Sequence, residues 1–218
     1  MSSICNALHG LFNGIERFKF PFDSSRIPQN GIYVLFELEE RAHNLDRIVR
    51  VGTHTGNGQL PSRLKQHFIN ENKDRSIFRK NIGRALLAKS RDPFLKQWNI
   101  DLTTRKAKEK YGKQVDFDKQ REIERQITEY IQGYFSFIAF PVKEKAIRLE
   151  LESKIISTVS RCDECRPSES WLGLYSPRAK IRESGLWLVN ELYKEPLSEA
   201  DFDDLREIIS NCLTRRCT

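Results

Sequence analysis

The sequence predicts a mixed α/β (α+β) fold: a small three-stranded antiparallel sheet flanked by helices, with a large helical insert and C-terminal helices. Two observations support this prediction. Apolar, β-branched and aromatic residues concentrate in three short runs, residues 31–37, 48–52 and 134–142, and such runs are typical of strands. The long stretches between and after these runs carry apolar residues three and four positions apart, which is typical of helices packed on a core.

The first two predicted strands are close together in the sequence. Residues 31–37 read Gly-Ile-Tyr-Val-Leu-Phe-Glu after a Pro-Gln-Asn turn, a continuous apolar run of the kind found in buried strands. A polar connection at residues 39–46 leads to residues 48–52, where apolar and polar residues alternate. A connection this short predicts that the two strands pair in the antiparallel sense.

A helix is expected soon after the second strand. Beyond a glycine-containing loop, Pro61 opens a predicted helix over residues 62–68, because proline is well tolerated at the first position of a helix. Arg63 and His67 lie four positions apart in this helix. Residues with that spacing share one face of a helix, so we expect the two side chains to lie together.

Residues 69–133 form a predicted helical insert within a single domain of residues 1–218. Its helices are expected at residues 75–88, at 93–98 and at 117–134, where isoleucines repeat every four positions. The insert is longer than a minimal three-stranded core needs.

Helices also dominate the C-terminal part of the chain. The third strand is followed by a predicted helix at residues 144–159 and an irregular loop at 162–177. Two closing helices are expected at residues 178–193 and 198–212. They make up a predicted C-terminal helical extension, residues 178–218.

Composition is that of a globular protein and predicts no membrane partner. Of 218 residues, 39% are hydrophobic and 31% are charged, and no run approaches the roughly 18 apolar residues that a membrane helix needs. No signal peptide is evident in the first dozen residues, so a cytoplasmic location is expected. The net charge of +7 fits a polyanionic partner, because lysine and arginine contacts with phosphates supply most non-specific nucleic-acid affinity.

The five cysteines are an odd number at irregular spacing, which favours reduced thiols over a disulfide framework. Cys162 and Cys165 form a single Cys-x-x-Cys pair, to which a zinc site would add two further ligands. Cys212 and Cys217 do not have the spacing of a usual second half-site. We therefore expect reduced cysteines with a structural or incidental role.

Four sequence features occur in an order found in one nuclease family. Residues 31–33 read Gly-Ile-Tyr, residues 50–52 read Arg-Val-Gly, and Arg63 and His67 share a face of the helix that follows. This order resembles the GIY-YIG nuclease superfamily, with the tyrosine of the second motif replaced by an arginine. The resemblance implies a three-stranded antiparallel core and metal-dependent hydrolysis of phosphodiester bonds in DNA.

The resemblance also implies one divalent metal ion, held by a glutamate on the helix after the third strand. The family pattern of a glutamate followed by an aliphatic pair fits Glu152 with Ile155 and Ile156. Glu150 is the competitor, but residues two apart on a helix point about 200° away from each other, and Glu152 lies beside the apolar stripe. Glu152 is therefore the predicted ligand of Mg²⁺ (or Mn²⁺), and a lone carboxylate suits Mg²⁺ because this ion keeps several waters.

Tyr33 corresponds to the first tyrosine of the family, and the resemblance assigns it to activating or positioning the attacking water. A tyrosine is a poor base at neutral pH unless a nearby cation stabilises its anion. Arg50 stands at the place of the second tyrosine, and we expect it to supply that positive charge.

The remaining candidates are basic residues near these motifs. Arg63 is expected to clamp the scissile phosphate, because a guanidinium binds two oxygens at once and an ammonium does not. His67 is expected to orient water or to contact phosphate, with an exposed or helix-capping histidine as the alternative. His54, in the loop after the second strand, is a weaker candidate for contact with the nucleic acid.

The insert concentrates basic residues with aromatic residues between them, a pattern that suits contact along a DNA backbone. The predicted DNA contacts on its first helix are Arg79, Lys80 and Arg84. A solvated face with buried aromatic residues produces the same pattern and stays open as the alternative.

Two departures from the family leave a second function open. The second tyrosine is missing, and no asparagine occurs between Asn99 and Asn190, although the family places one soon after the metal glutamate. The leading hypothesis is a Mg²⁺-dependent DNA endonuclease of a restriction, phage-defence or repair type, paired as a homodimer if it cuts both strands. The alternative is a non-catalytic DNA-binding module that keeps the nuclease fold. RNA as the substrate is a third option.

Overall fold

The computed structural model describes residues 2–214, with side chains described for residues 3–211. One four-stranded antiparallel sheet lies at its centre, in the order β1-β4-β2-β3. The strands are β1 (Phe18–Lys19), β2 (Gly31–Ala42), β3 (Leu45–Gly52) and β4 (Phe135–Pro141). The mixed class and the antiparallel sheet are confirmed, but the number of strands was one too low. The additional strand is the two-residue edge strand β1, which was too short to predict.

The helices are α1 (Ser2–Asn13), α2 (Leu60–Phe68), α3 (Ile77–Lys89), α4 (Leu95–Trp98), α5 (Arg105–Tyr111), α6 (Phe117–Tyr134), α7 (Lys145–Ser160), α8 (Ala179–Ser184) and α9 (Glu199–Thr214). Those predicted at residues 62–68, 75–88, 117–134 and 144–159 agree with the structure to within about two residues at each end. No helix in the described part of the chain is long and apolar enough to cross a membrane.

The first hairpin continues through the segment predicted as a polar connection. β2 runs to Ala42 and β3 starts at Leu45, so only His43 and Asn44 form the turn. Both turn residues have positive φ, 52° and 60°, as two-residue hairpin turns require. The polar residues of this segment fit a strand because Glu40 is buried in an ion pair with Arg47.

The central strand β2 is buried on both faces, which is why its sequence is a continuous apolar run. Ile32, Val34 and Phe36 face a core that α1, α7 and α9 cover. Tyr33 and Leu35 face a second core, to which α2, α3 and α6 contribute. The predicted insert, residues 69–133, therefore packs on the sheet through α3 and α6.

The C-terminal segment differs most from prediction. The helix expected at residues 178–193 is only the six-residue α8, which ends at Gly185 in the left-handed conformation with φ of 69°. Trp187 then enters the second core, where its backbone N–H donates to the oxygen of Val49 at 2.8 Å. A buried tryptophan tied to the sheet edge cannot continue a surface helix. The predicted helix at residues 198–212 is present as α9, and residues 215–218 of the predicted extension lie outside the described residues.

Candidate active site

A buried hydrogen-bond network joins the first strand motif to α2. The hydroxyl of Tyr33 lies 2.8 Å from Nε2 of His67, and Nδ1 of His67 lies 2.8 Å from the hydroxyl oxygen of Ser76. Ser76 is the N-cap residue of α3 and accepts the backbone N–H of Arg79. Both Tyr33 and His67 are fully buried. The motif tyrosine thus contacts His67 of α2, and Ser76 completes the network; neither contact was predicted from the sequence.

His67 is held in the neutral form. Burial lowers the pKa of His67 well below its usual range, and the positive charges of Arg63, Arg50 and Arg79 lower this pKa further. A neutral imidazole has one donor and one acceptor nitrogen. Nε2 of His67 can therefore accept a hydrogen bond from the Tyr33 hydroxyl, while its Nδ1–H donates to the Ser76 hydroxyl oxygen.

Arg50 connects this network to the surface. Its Nε–H donates to the Tyr33 hydroxyl at 3.3 Å, and its Nη1 donates to the backbone oxygen of Trp187. Tyr33 and Gly52 are directly opposed on β2 and β3, and a Cβ atom at Gly52 would lie 2.3 Å from the Tyr33 hydroxyl oxygen. The glycine of the second motif is therefore required for the tyrosine ring to lie across the neighbouring strand.

Glu152 of α7 approaches the same end of the hairpin. Its Oε1 accepts the backbone N–H of Thr53 at 3.1 Å, and its Oε2 accepts no hydrogen bond within the described residues. Burial raises the pKa of Glu152, while Arg50, the Thr53 N–H and Arg63 act in the opposite direction. Glu150, the competitor, is exposed and forms an ion pair with Lys154 at 2.9 Å. The structure thus places Glu152, and not Glu150, beside Arg50 and Arg63.

A cavity of about 470 Å³ brings the predicted residues together. Arg50, Arg63, Glu152, Asn190 and Glu191 all contribute to its lining. Asn190 comes from the irregular segment after α8, and its position in the fold was not predictable because a surface helix was expected there. Asn190 lies 38 positions after Glu152 in the sequence and lines the same cavity.

Arg63 lies between two cavities. It lines the cavity that contains Glu152, and it also lines a neighbouring cavity with Thr53, His54 and Gln66. Its Nη1 donates to the side chain of Gln66 at 3.2 Å and to the backbone oxygen of Arg75 at 3.1 Å. Neither partner is charged, so the positive charge of Arg63 is not neutralised by a direct ion pair.

Both ring nitrogens of His54 form hydrogen bonds with the backbone. Its Nδ1–H donates to the oxygen of Gly56 at 2.6 Å, and its Nε2 accepts the backbone N–H of Gly31 at 3.3 Å. Burial lowers the pKa of His54. These contacts hold His54 as a neutral residue that shapes the loop after β3.

The three predicted DNA contacts of α3 lie in different environments. Arg79 is fully buried and paired with Glu124 of α6 at 2.8 Å, so it presents no surface to DNA. Lys80 forms an ion pair with Asp74 at 3.2 Å. Arg84 donates to the side-chain oxygens of Asn81 and Asn99 at 2.8 Å. The expectation of DNA contact for Arg79 is therefore not carried forward.

Lys80 and Arg84 line a third cavity next to the one that contains Glu152. The two cavities share Asn81 and Asn190 in their linings, and Arg178 also lines the third. Burial lowers the pKa of Arg84 to about 10, which leaves the guanidinium charged at neutral pH. A basic channel thus continues from the Glu152 cavity along α3.

The residues around Glu152 fit a hard divalent cation. A half-buried carboxylate with one oxygen free of hydrogen bonds among the described residues and an amide side chain line one cavity, and oxygen ligands are those that Mg²⁺ prefers. The Glu191 carboxylate lines the same cavity, and one of its oxygens accepts hydrogen bonds from Ser153 and Lys194. A second group that could hold a metal, Cys5, His9, His43 and Cys165, consists of thiols and imidazoles. Its chemistry does not suit Mg²⁺.

Comparison with protein families gives one match. A family model described as a GIY-YIG domain matches residues 3–215, which is nearly the whole chain. No curated protein and no solved structure matches the chain. The match extends over all four strands and every candidate residue of the cavity.

Proposed function

The chain belongs to the GIY-YIG family, a family of nucleases, and from this premise we propose that it is a metal-dependent DNA endonuclease. Phosphodiester hydrolysis would take place in the cavity lined by Arg50, Arg63 and Glu152. One observation carries the proposal. A half-buried carboxylate with an oxygen available to a ligand lines one cavity with two arginines that have no ion-pair partner within the described residues.

Glu152 would hold the divalent metal, and Asn190 and Glu191 line the same cavity. A bound Mg²⁺ or Mn²⁺ would neutralise charge on the scissile phosphate and on the leaving oxygen. The Thr53 N–H fixes the orientation of the Glu152 carboxylate by binding Oε1. The carboxylate is half-buried, and its partial removal from water strengthens its interaction with a cation.

Arg63 and Arg50 would bind the phosphate itself. Neither guanidinium has a carboxylate within ion-pair distance among the described residues, and each can donate two parallel hydrogen bonds to phosphate oxygens. The backbone on one side of the scissile phosphate would follow the basic channel past Lys80 and Arg84. Contacts of this kind position a nucleic acid without reading its sequence.

Tyr33 and His67 would act through Arg50. Both are fully buried, and Arg50 is the member of their network that lines the cavity. The neutral His67 orients the Tyr33 hydroxyl, and the hydroxyl oxygen accepts the Arg50 Nε–H. In this arrangement Tyr33 is a positioning residue, and the predicted contact between Tyr33 and the attacking water would require Arg50 to move.

The burial of Tyr33 also favours the second candidate function, a DNA-binding module without catalysis. If water does not reach the hydroxyl and the second motif has an arginine in place of its tyrosine, the family fold remains while its water-activating groups are closed off. The two functions differ in what Glu152 does, because a metal ligand is needed for cleavage and not for binding along the phosphate backbone.

The experiment is cleavage of supercoiled plasmid in Mg²⁺ and in Mn²⁺ by the wild-type chain, by Glu152→Gln and by Glu150→Gln. Glu150 is a matched control because it lies two positions away on α7 and is exposed. We expect nicking or linearisation by wild type and by Glu150→Gln, and a loss of at least about 10³-fold in Glu152→Gln.

Equal cleavage by all three proteins would remove Glu152 from the mechanism. Binding of plasmid without cleavage by any of them would establish the binding module instead. Single-stranded and double-stranded RNA of the same sequence serve as parallel substrates.

Three predictions from the sequence stay predictions: a restriction, phage-defence or repair function, a homodimer, and a cytoplasmic location.

A further inference from the structure

A cluster of thiols and imidazoles lies in the first core, away from the Glu152 cavity. Cys5 and His9 come from α1, His43 from the β2–β3 turn, and Cys162 and Cys165 from the loop after α7. Ser160, where α7 ends, lies eight residues beyond Glu152, which is roughly 12 Å along the helix. The cluster is therefore a separate site at the C-terminal end of α7.

The distances within the cluster match those of a tetrahedral zinc site. Zinc binds sulfur at about 2.3 Å and nitrogen at about 2.0–2.1 Å, so two ligand atoms of a tetrahedron lie about 3.5–3.8 Å apart. The sulfurs of Cys5 and Cys165 are 3.5 Å apart. Nε2 of His43 lies 3.4 Å from the sulfur of Cys162 and 3.7 Å from that of Cys165.

The surroundings of His43 support ligation through Nε2. Its Nδ1 lies 3.2 Å from a carboxylate oxygen of Glu164, a partner that fixes the tautomer of metal-binding histidines. With the Nδ1 proton directed at Glu164, the lone pair of Nε2 faces the two sulfurs.

The loop of Cys162 and Cys165 is closed by a backbone hydrogen bond, in which the N–H of Cys165 donates to the oxygen of Cys162 at 3.1 Å. Both sulfurs lie within 3.7 Å of Nε2 of His43. The loop therefore presents both thiols to one imidazole.

The cluster contains five side chains, and zinc takes four ligands. Both ring nitrogens of His9 already have backbone partners: Nδ1–H donates to the oxygen of Cys5 at 2.9 Å, and Nε2 accepts the N–H of Ile48 at 3.3 Å. The sulfur of Cys162 lies 3.4 Å from Nε2 of His43. His9 therefore supports the site, and Cys162 completes it.

We propose that Cys5, Cys162, Cys165 and Nε2 of His43 bind one structural zinc ion. Thiolate and imidazole are the ligands that zinc prefers, and four protein ligands in a buried position leave no site for a substrate or water. Binding releases the thiol protons to solvent, so zinc affinity rises with pH. The two ligands that the Cys162–Cys165 pair lacked in the sequence come from α1 and from the hairpin turn.

The zinc ion would tie three distant parts of the chain together. It links α1 and the hairpin turn to the loop of Cys162 and Cys165. The chain that follows this loop is bound to β2, because Ser168 donates to Glu40 and Trp187 donates to Glu37. Loss of zinc is therefore expected to loosen the C-terminal segment, which also contributes Asn190 to the Glu152 cavity.

The test is the zinc content of the full chain after expression in zinc-supplemented medium, purification under reducing conditions and dialysis. We expect about one zinc ion per chain, tetrahedral thiolate absorption when cobalt(II) replaces zinc, and a melting temperature that a chelator lowers by roughly 5 °C or more. Cys5→Ser, Cys162→Ser and Cys165→Ser should each weaken zinc binding by at least about 100-fold, and His9→Gln by about tenfold.

Two variants serve as controls. Asp163→Asn changes an exposed residue of the same loop and should keep its zinc. Glu152→Gln should also keep its zinc while it loses Mg²⁺-dependent cleavage, so failure of the zinc site and failure of the nuclease proposal are distinguishable.

Several outcomes would overturn the proposal. Less than about 0.1 zinc ion per wild-type chain after reconstitution, with no cobalt spectrum and no change in melting temperature on zinc addition, would rule out the site. A disulfide between Cys5 and Cys165 in the reduced, zinc-treated protein would do the same. Retention of zinc by Cys162→Ser with its loss from His9→Gln would overturn the ligand set.

Discussion

The charge of Arg79 is compensated in a different way from the charges of Arg50 and Arg63. Arg79 of α3 binds Glu124 of α6 through Nε and Nη2 at 2.9 and 2.8 Å, and both residues are buried. Among the described residues, Arg50 and Arg63 donate to a tyrosine hydroxyl, a side-chain amide and backbone oxygens, and neither has a carboxylate within ion-pair distance. The Arg50 guanidinium also lies over the Phe78 ring, 5.3 Å from its centroid. The Arg79–Glu124 pair has no net charge, whereas Arg50 and Arg63 place two positive charges at a cavity.

This difference shows why a basic segment does not by itself identify a nucleic-acid surface. Arg79 and Arg84 lie five positions apart on one helix and both belong to the basic insert. Arg79 is neutralised by a carboxylate 45 positions away, while Arg84 contacts two asparagines beside a cavity. A carboxylate partner makes a buried arginine a structural residue, and its absence leaves the charge for a ligand.

The largest effect is expected on stability, when the Arg79–Glu124 ion pair is broken. Arg79→Met should lower the free energy of unfolding by about 3–5 kcal/mol, because it leaves Glu124 buried without its cation. Removal of both charges in Arg79→Met with Glu124→Met should restore part of the loss. Urea denaturation measures both, with the exposed Arg121→Met on α6 as a control expected to change stability by less than about 0.5 kcal/mol. A fully stable Arg79→Met that binds DNA less tightly would contradict the structural assignment.

Arg63→Ala should produce the next largest effect, on activity and not on stability. Loss of a phosphate-binding guanidinium in the cavity should lower the cleavage rate about 10²–10³-fold, equivalent to about 3–4 kcal/mol of transition-state stabilisation. Lys65→Ala on the exposed side of α2 is the matched control. Plasmid cleavage at equal folded concentration checks the pair, and equal rates for both variants would place the phosphate elsewhere.

Arg50→Ala tests whether the cation beside Tyr33 assists catalysis. We expect a turnover about 10–100-fold lower, because the cavity loses one of its two guanidinium groups. A pH–rate profile displaced to higher pH would show in addition that a negative charge at the Tyr33 oxygen takes part in the reaction. Initial rates of plasmid cleavage between pH 6 and pH 10 measure the displacement. A lower rate with an unchanged profile would restrict Arg50 to phosphate contact or to structure.

The smallest effect concerns the stability cost of the metal glutamate. Burial raises the pKa of Glu152 in the folded chain, so wild type loses stability as pH rises above the pKa of an unfolded glutamate. Glu152→Gln does not ionise and should be more stable than wild type at pH 7, by less than about 1 kcal/mol. The difference should vanish below about pH 4, where wild-type glutamate is protonated. Urea denaturation of wild type and Glu152→Gln at pH 7 and pH 4 measures the difference. A Glu152→Gln variant that is less stable than wild type at pH 7 would show that the ionised carboxylate stabilises the fold.

Local patterns predicted most of the elements on which the site is built. The apolar run of residues 31–37 and the four-residue repeat of residues 117–134 correspond to β2 and α6, and Pro61 lies in the first turn of α2. The turn at His43 and Asn44 was missed because two buried strand residues, Glu40 and Arg47, are charged. The helix predicted at residues 178–193 was wrong because its periodicity does not show that Trp187 is buried against the sheet.

By itself, the sequence determined the order of the strands and helices, the basic character and the resemblance to a nuclease family, since these depend on residues close together in the chain. The tertiary structure decided which partner each charged or sulfur-bearing side chain has. Glu152 meets Thr53 across 99 positions, and Cys5 meets Cys165 across 160. Such contacts depend on how the two cores pack against the sheet, and no spacing along the chain encodes them.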